Sequence, residues 1–200
     1  MIKKLQALKA KKGFTLVELV VVIAIIGVLA AILVPTMIGV VQDSNITSAD
    51  STANQIKTQT TTFLTKMDAA KEGLKGVGST GCVVTAVVTN GNWNVTAPAS
   101  SIVFGNGTKA KWTGGTDKEW TYSLFMADVL RDFKNGAVTV VFKNGACVGA
   151  AVIEGSASTA PSVTVTNFDS GNYNFTGSKA GLMDDGTIIG TNPKLQKGAV

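Results

Sequence analysis

Glu18 is the residue whose surroundings most demand chemistry. It lies in the run Phe14–Val34, 21 residues of which only Thr15 and Glu18 are polar. On insertion scales a carboxylate at the centre of a lipid-embedded helix is penalised by about 2.5–3.5 kcal/mol, so it requires a partner. Catalytic sets are scarce elsewhere. The chain has no histidine, which excludes Ser-His-Asp and Cys-His arrangements and removes zinc's commonest nitrogen ligand. No enzymatic activity, metal or cofactor is expected. Gly76-Val-Gly78-Ser-Thr-Gly81 fits a dinucleotide fingerprint by letter. It follows a helical pattern and opens a strand, the reverse of the context that fingerprint needs, and reads as a connecting loop. Asp184-Asp185-Gly186 lacks the spacing of a calcium loop and reads as a turn. Trp93, Trp112 and Trp120, with Tyr122 and Tyr173, offer faces for carbohydrate stacking or, more commonly, for core packing. Cys82 and Cys147 are the only cysteines.

The elements that must position these residues begin with the apolar run. At 1.5 Å per residue it makes a helix of roughly 32 Å, about one bilayer core. Lys3, Lys4, Lys9, Lys11 and Lys12 precede it, which places the amino terminus inside and the remainder outside. An ordinary secretory signal has a shorter apolar region with its cleavage site beyond it. Ala30-Ala31 imitates such a site, but the length of the run argues against that reading.

Pro35 is expected to kink the helix. Beyond it, Ala49, Ala53, Ile56, Thr60, Phe63, Leu64, Met67, Ala70 and Leu74 recur at three- and four-residue steps, the mark of a helix with one dry face. The Asp43-Ser44-Asn45 cluster is a candidate interruption.

From Gly76 the composition shifts to Gly, Thr, Val and Asn, in short runs bounded by turn residues. Val83–Thr89 and Trp93–Thr96 about Asn90-Gly91 predict one hairpin, and Ala137–Phe142 and Ala146–Glu154 about Asn144-Gly145 another. Ser101–Phe104 with Lys109–Trp112, Ser162–Phe168, Tyr173–Phe175 and Thr187–Ile189 are further strand candidates. Thr116 with Glu119 resembles a capping box opening a second helix towards Phe133. Residues 192–200 are expected to fray. The predicted class is α+β: a long N-terminal helix, transmembrane then amphipathic, packed on an antiparallel sheet.

Lys12-Gly13-Phe14-Thr15-Leu16-Val17-Glu18 resembles the processing site of type IV prepilins and pseudopilins. The resemblance covers residues 1 to about 40. It implies a cytoplasmic leader 1–13, an assembly and transmembrane helix 14–34, an amphipathic stalk helix 35–75 and a β-rich head 76–200. It further implies cutting by a prepilin peptidase between Gly13 and Phe14, N-methylation of Phe14, and a role for Phe14, Thr15 and Glu18 in assembly. The new amino group on Phe14, with a reference pKa of about 8, is cationic at neutral pH. It could pair with Glu18 four residues on in the same helix. The family's reading has Glu18 face a neighbour's amino terminus in a homo-oligomeric helical filament.

Family disulfides usually close a loop near the carboxyl end, where Cys82 and Cys147 do not sit. Either they bridge early and late strands, or they serve as small buried apolar residues.

The formal charge of +5 belongs to the leader. Its five lysines removed, 13 basic residues face 13 acidic ones from Phe14 on, and no basic run marks a specific nucleic-acid partner. About 165 residues beyond leader and anchor suffice for one head domain. The function implied is a structural subunit held in the membrane before assembly and exposed in an extracellular pilus afterwards, supporting adhesion or motility. An assembly ATPase and a platform protein are implied as partners. A pseudopilin of a type II secretion or DNA-uptake system shares the motif, and a pilin-borne adhesin for surface polysaccharide is the reading from another class.

Overall fold

A computed structural model describes residues 14–69, 74–75, 79–96, 103–104, 110–111 and 128–198. Contacts divide the chain into two compact units, up to Asp43 and from Ser44 on. Helix α1 runs Leu16–Ala69, so neither Pro35 nor the Asp43-Ser44-Asn45 cluster ends it. Leu74–Lys75 form a short strand, β1, and not the end of the stalk helix expected over 35–75.

In the first unit, every large apolar side chain of α1 from Phe14 to Val41 is exposed. This helix is long and apolar enough to cross a membrane. At Pro35 the backbone offers no N–H to the Ala31 carbonyl. Next to it, the Thr36 hydroxyl donates to the Leu33 carbonyl at 2.8 Å.

In the second unit, α1 buries Ala49, Ala53, Ile56, Thr60, Phe63 and Leu64 of the expected stripe, and Ile46 in addition; the Met67 side chain and Ala70 lie outside what is described, and Leu74 falls in β1. It lies on an antiparallel sheet ordered β3 (Asn92–Thr96), β2 (Cys82–Thr89), β6 (Gly136–Lys143), β7 (Ala146–Glu154) and β9 (Gly190–Asn192). The Asn-Gly turns set its register. Asn90 and Asn144 have φ of 52°, and Gly91 and Gly145 have φ of 76° and 78°, the left-handed pair that matches hairpin twist. Val103–Phe104 (β4) bridges β1 and Ala110–Lys111 (β5) in a separate small sheet.

Strand alternation distributes the sheet's side chains between two cores. Cys82, Val84, Ala86 and Val88 of β2, Val138, Val140 and Phe142 of β6, and Ala150 and Val152 of β7 pack with Ala53, Ile56, Phe63 and Leu64 of α1. On the opposite face, Ala151 joins Val163, Phe175, Ile189 and Leu195. Burying an aliphatic or aromatic side chain of this size stabilises by roughly 1.5–3 kcal/mol, so both faces contribute.

The second core is built by segments that the alternation pattern misreads. Ser162–Phe168 is not a strand. Thr164 and Asn167 form a reciprocal cap that starts α2 (Val165–Ser170), and Gly171, at φ 72°, ends it. The cap outweighs so short an alternation. It also brings Phe168 against Gly149, where a Cβ would stand 2.5 Å from the ring. Asn172–Tyr173 (β8) pairs in parallel with Gln196–Lys197 (β10). The tail does not fray through residue 198: Gly198 N–H donates to the Tyr173 carbonyl at 3.0 Å, and Leu195 is fully buried. Ile188 makes only an isolated bridge to Leu182. Of the expected second helix, Asp128–Val129 are helical, and residues 112–127 lie outside the described residues.

Strand β9 closes on α1 without room to spare. A Cβ on Gly190 would lie 2.0 Å from the Ala49 carbonyl carbon. One residue on, Asp50 accepts from the Thr191 N–H at 2.9 Å and pairs with Lys194 at 3.0 Å. Asp50→Ala leaves the buried Thr191 amide unsatisfied and should destabilise by about 1–3 kcal/mol. Asp50→Asn, which keeps an acceptor, should cost less; equal urea midpoints for the two variants would contradict this role.

Candidate functional site

The amino-terminal site is built by the way α1 starts. Thr15 is its N-cap: the Thr15 carbonyl accepts the first helical bond from Leu19 N–H at 3.2 Å. Its hydroxyl accepts from the Glu18 N–H at 3.2 Å. Glu18 answers, with Oε2 accepting from the Thr15 N–H at 2.8 Å and from the Thr15 hydroxyl at 2.7 Å. This is a capping box, in which two orphan amides at a helix end satisfy each other through side chains. Thr15-Leu-Val-Glu18 carried that signature in the sequence.

Glu18 is thereby brought to Thr15. Both bonds land on a single oxygen, Oε2. The carboxylate is partly satisfied by its own helix end, while Phe14 beside it is exposed. Gly13 lies outside the described residues.

The remaining site expectations fall in the second unit. Cys82 and Cys147 are free thiols, so the bridge is not formed. The reason is register: Cys82 pairs with Phe142 on β6, and Phe142 pairs with Cys147 on β7. Two strand spacings separate the cysteines by about 9–10 Å, whereas a disulfide needs Cα atoms within about 7 Å. Both instead pack in the core beneath α1. Burial pushes each thiol up to about 12.

Trp93 lies on β3 opposite Val88. Trp112, Trp120 and Tyr122 lie outside the described residues. Residues 184–186 form the expected turn, with Gly186 at φ 82°. Among the described residues no group of three or more metal-ligating side chains converges.

Comparison with known proteins agrees with the geometry of the helix start. Residues 8–34 match the family model described as the prokaryotic N-terminal methylation motif. A fimbrial protein of Moraxella nonliquefaciens is 33% identical over 118 residues, 56% of this chain and 73% of that protein. The chain belongs to the type IV pilin family.

A fimbrial protein of Pseudomonas aeruginosa is 47% identical over 51 residues, 26% of this pilin and 33% of its relative. The type IV major fimbrial protein FimA of Dichelobacter nodosus is 38% identical over 71 residues, 36% and 44% of the two chains. The aligned part thus spans about a third of the length of the Pseudomonas relative. Residues 46–196 match a family model described as a domain of unknown function (DUF5021), so this pilin's second unit also belongs to that domain family. No solved structure matches.

The two thiols give this pilin a measurable property. Each should remain protonated in the folded chain to near pH 12, against an ordinary value of 9.0. A pKa raised by folding means that the contribution of the neutral thiol is complete below pH 9 and is lost as pH climbs towards 12. Iodoacetamide labelling at pH 8 should therefore be far slower in native protein than in urea, because the thiolate is the nucleophile. Equal rates in the two states would show that the cysteines are not buried.

Proposed function

We propose that the chain is the structural subunit of an extracellular type IV pilus. Prepilin peptidase releases residues 1–13, and the new Phe14 amine is methylated. Until assembly the subunit is held in the membrane by the first half of α1, amino terminus inside, with the second unit outside. An assembly ATPase and a platform protein drive polymerisation into a helical homo-oligomer. No catalytic role is assigned.

The observation that carries this reading is the conjunction at the helix start. A carboxylate and a capping threonine sit beside the cleavage motif, on a helix whose large apolar side chains up to Val41 are exposed among the described residues. Such a surface requires lipid or the same helix of neighbouring subunits. Relatives named as fimbrial proteins favour a pilus over a secretion or DNA-uptake pseudopilin.

Glu18 is read as the charge partner of a neighbour's Phe14 amine, which sets register between subunits. Its bonds to Thr15 through Oε2 orient the carboxylate for that contact.

Two outcomes follow. Replacing Gly13 by leucine puts a side chain where the peptidase needs close approach to the backbone, so the precursor should accumulate uncut. Mature-sized protein on a gel would contradict the processing claim. At Glu18, the substitutions to Gln and Ala separate cap from charge. A glutamine still completes a capping box, so if capping were the whole role, Glu18→Gln would keep its fibres. If the charge pair sets register, both variants should be processed normally yet yield few fibres, since breaking a buried pair costs about 3–5 kcal/mol. Sheared fibre weighed against mature membrane subunit distinguishes the two.

A further inference from the structure

The C-terminal layer of the second unit contains a cleft of about 300 Å³, at the low end of the range for small-ligand sites. One wall is the loop of residues 156–162, which supplies Ser158, Thr159 and Ser162. The other supplies Tyr173, Asp185 and Thr187. Ile153, Pro161 and Ile189 add apolar surface.

Three features of this lining act together. First, hydroxyl groups dominate its polar side chains, and each can both donate and accept. Second, among the described residues Asp185 is the one charged group lining the cleft. Its carboxyl is held below the usual range, chiefly by the Thr187 N–H, which donates to Oδ1 at 2.8 Å. The group is therefore an ionised acceptor at neutral pH, able to take two hydroxyl donors at once. Third, the Tyr173 ring is held edge-on to Phe175, centroids 4.9 Å apart at 69°, with its hydroxyl 3.5 Å from Ser162 Oγ. Ring position and carboxylate are thus fixed before any ligand arrives. The turn bearing Asp185 is closed by Met183 N–H to the Thr187 carbonyl at 2.9 Å and Gly186 N–H to the Met183 carbonyl at 3.0 Å.

From this lining we infer that the cleft is a binding subsite for a neutral saccharide, one or two rings long. A sugar ring presents alternating hydroxyls and an apolar C–H face. The hydroxyl-rich walls, the single carboxylate and the tyrosine ring match those in turn. With a carboxylate and no cation among the described lining residues, an acidic sugar is repelled. The inference concerns the second unit alone and does not depend on polymerisation.

The test uses the full-length chain in a zwitterionic detergent without a sugar head group. Saturation-transfer NMR and calorimetry would be run against methyl glycosides of glucose, galactose and mannose, N-acetylglucosamine, and galacturonate as the charged comparison. At least one neutral sugar should bind in the millimolar range, and galacturonate about tenfold more weakly or not at all. Asp185→Asn should weaken binding about tenfold, the loss expected for a charge-assisted hydrogen bond. Thr159→Tyr, at an exposed position, should block the cleft and abolish binding. Both variants should melt as the unmodified chain does. Absence of binding by every neutral sugar, preference for galacturonate, or unaltered binding by the two variants would each overturn the assignment while leaving fibre assembly untouched.

Discussion

Burial of β6 on both faces is the constraint from which the second unit follows. From Gly136 to Phe142 no residue of this strand is left to solvent. A sheet apolar on both sides must be covered on both sides. Helix α1 supplies one cover through the stripe from Ile46 to Leu64. The irregular chain from Val163 to Leu195 supplies the other. Remove the helix and Val138, Val140 and Phe142 would face water; remove the outer layer and Ala137, Thr139 and Val141 would.

This two-sided arrangement explains the local rules the chain obeys. Small residues occur where backbones meet: Ala49 faces Gly190, and Gly149 accepts the ring of Phe168. Polar groups in the buried layers are mostly tied off, the Thr60 hydroxyl of α1 being left without a hydrogen-bond partner among the described residues. The Thr139 hydroxyl, fully buried, donates to the Pro161 carbonyl at 2.6 Å, anchoring the loop of residues 156–162 to the sheet. The carboxylate of Asp50 bonds the Thr191 amide where β9 meets the helix. Each tie joins the outer layer to the sheet or the sheet to the helix, so both cores are stabilised together.

The first unit follows a different logic. Its helix carries its apolar residues all round, which suits a lipid or multi-helix environment and not the flank of a single sheet. The polar pair of Thr15 and Glu18 lies at the end where helical amides lack partners, so an acidic group costs least there. A position demanded by helix termination therefore also places a carboxylate one turn from the Phe14 amine that processing would create.

Much of this was legible in the sequence, for identifiable reasons. Long periodic patterns are decided locally: the apolar run, the three-and-four stripe of α1 and the two Asn-Gly hairpins each depend on neighbours in the chain, and so does the Thr15-x-x-Glu18 cap, a four-residue signature that reading Glu18 for its charge alone passes over. The family motif is contiguous and equally readable. Tertiary structure decided what depends on distant partners. Whether Cys82 and Cys147 pair was settled by β6 standing between their strands. The local cap of Thr164 and Asn167 made Val165–Ser170 a helix, but only the fold set Phe168 against Gly149, and the tail is ordered because Tyr173 and Gly171 accept its amides. The cleft of Tyr173 and Asp185 draws its walls from segments more than ten residues apart. Periodicity records which face of an element is dry; it holds no information about which distant element will cover that face.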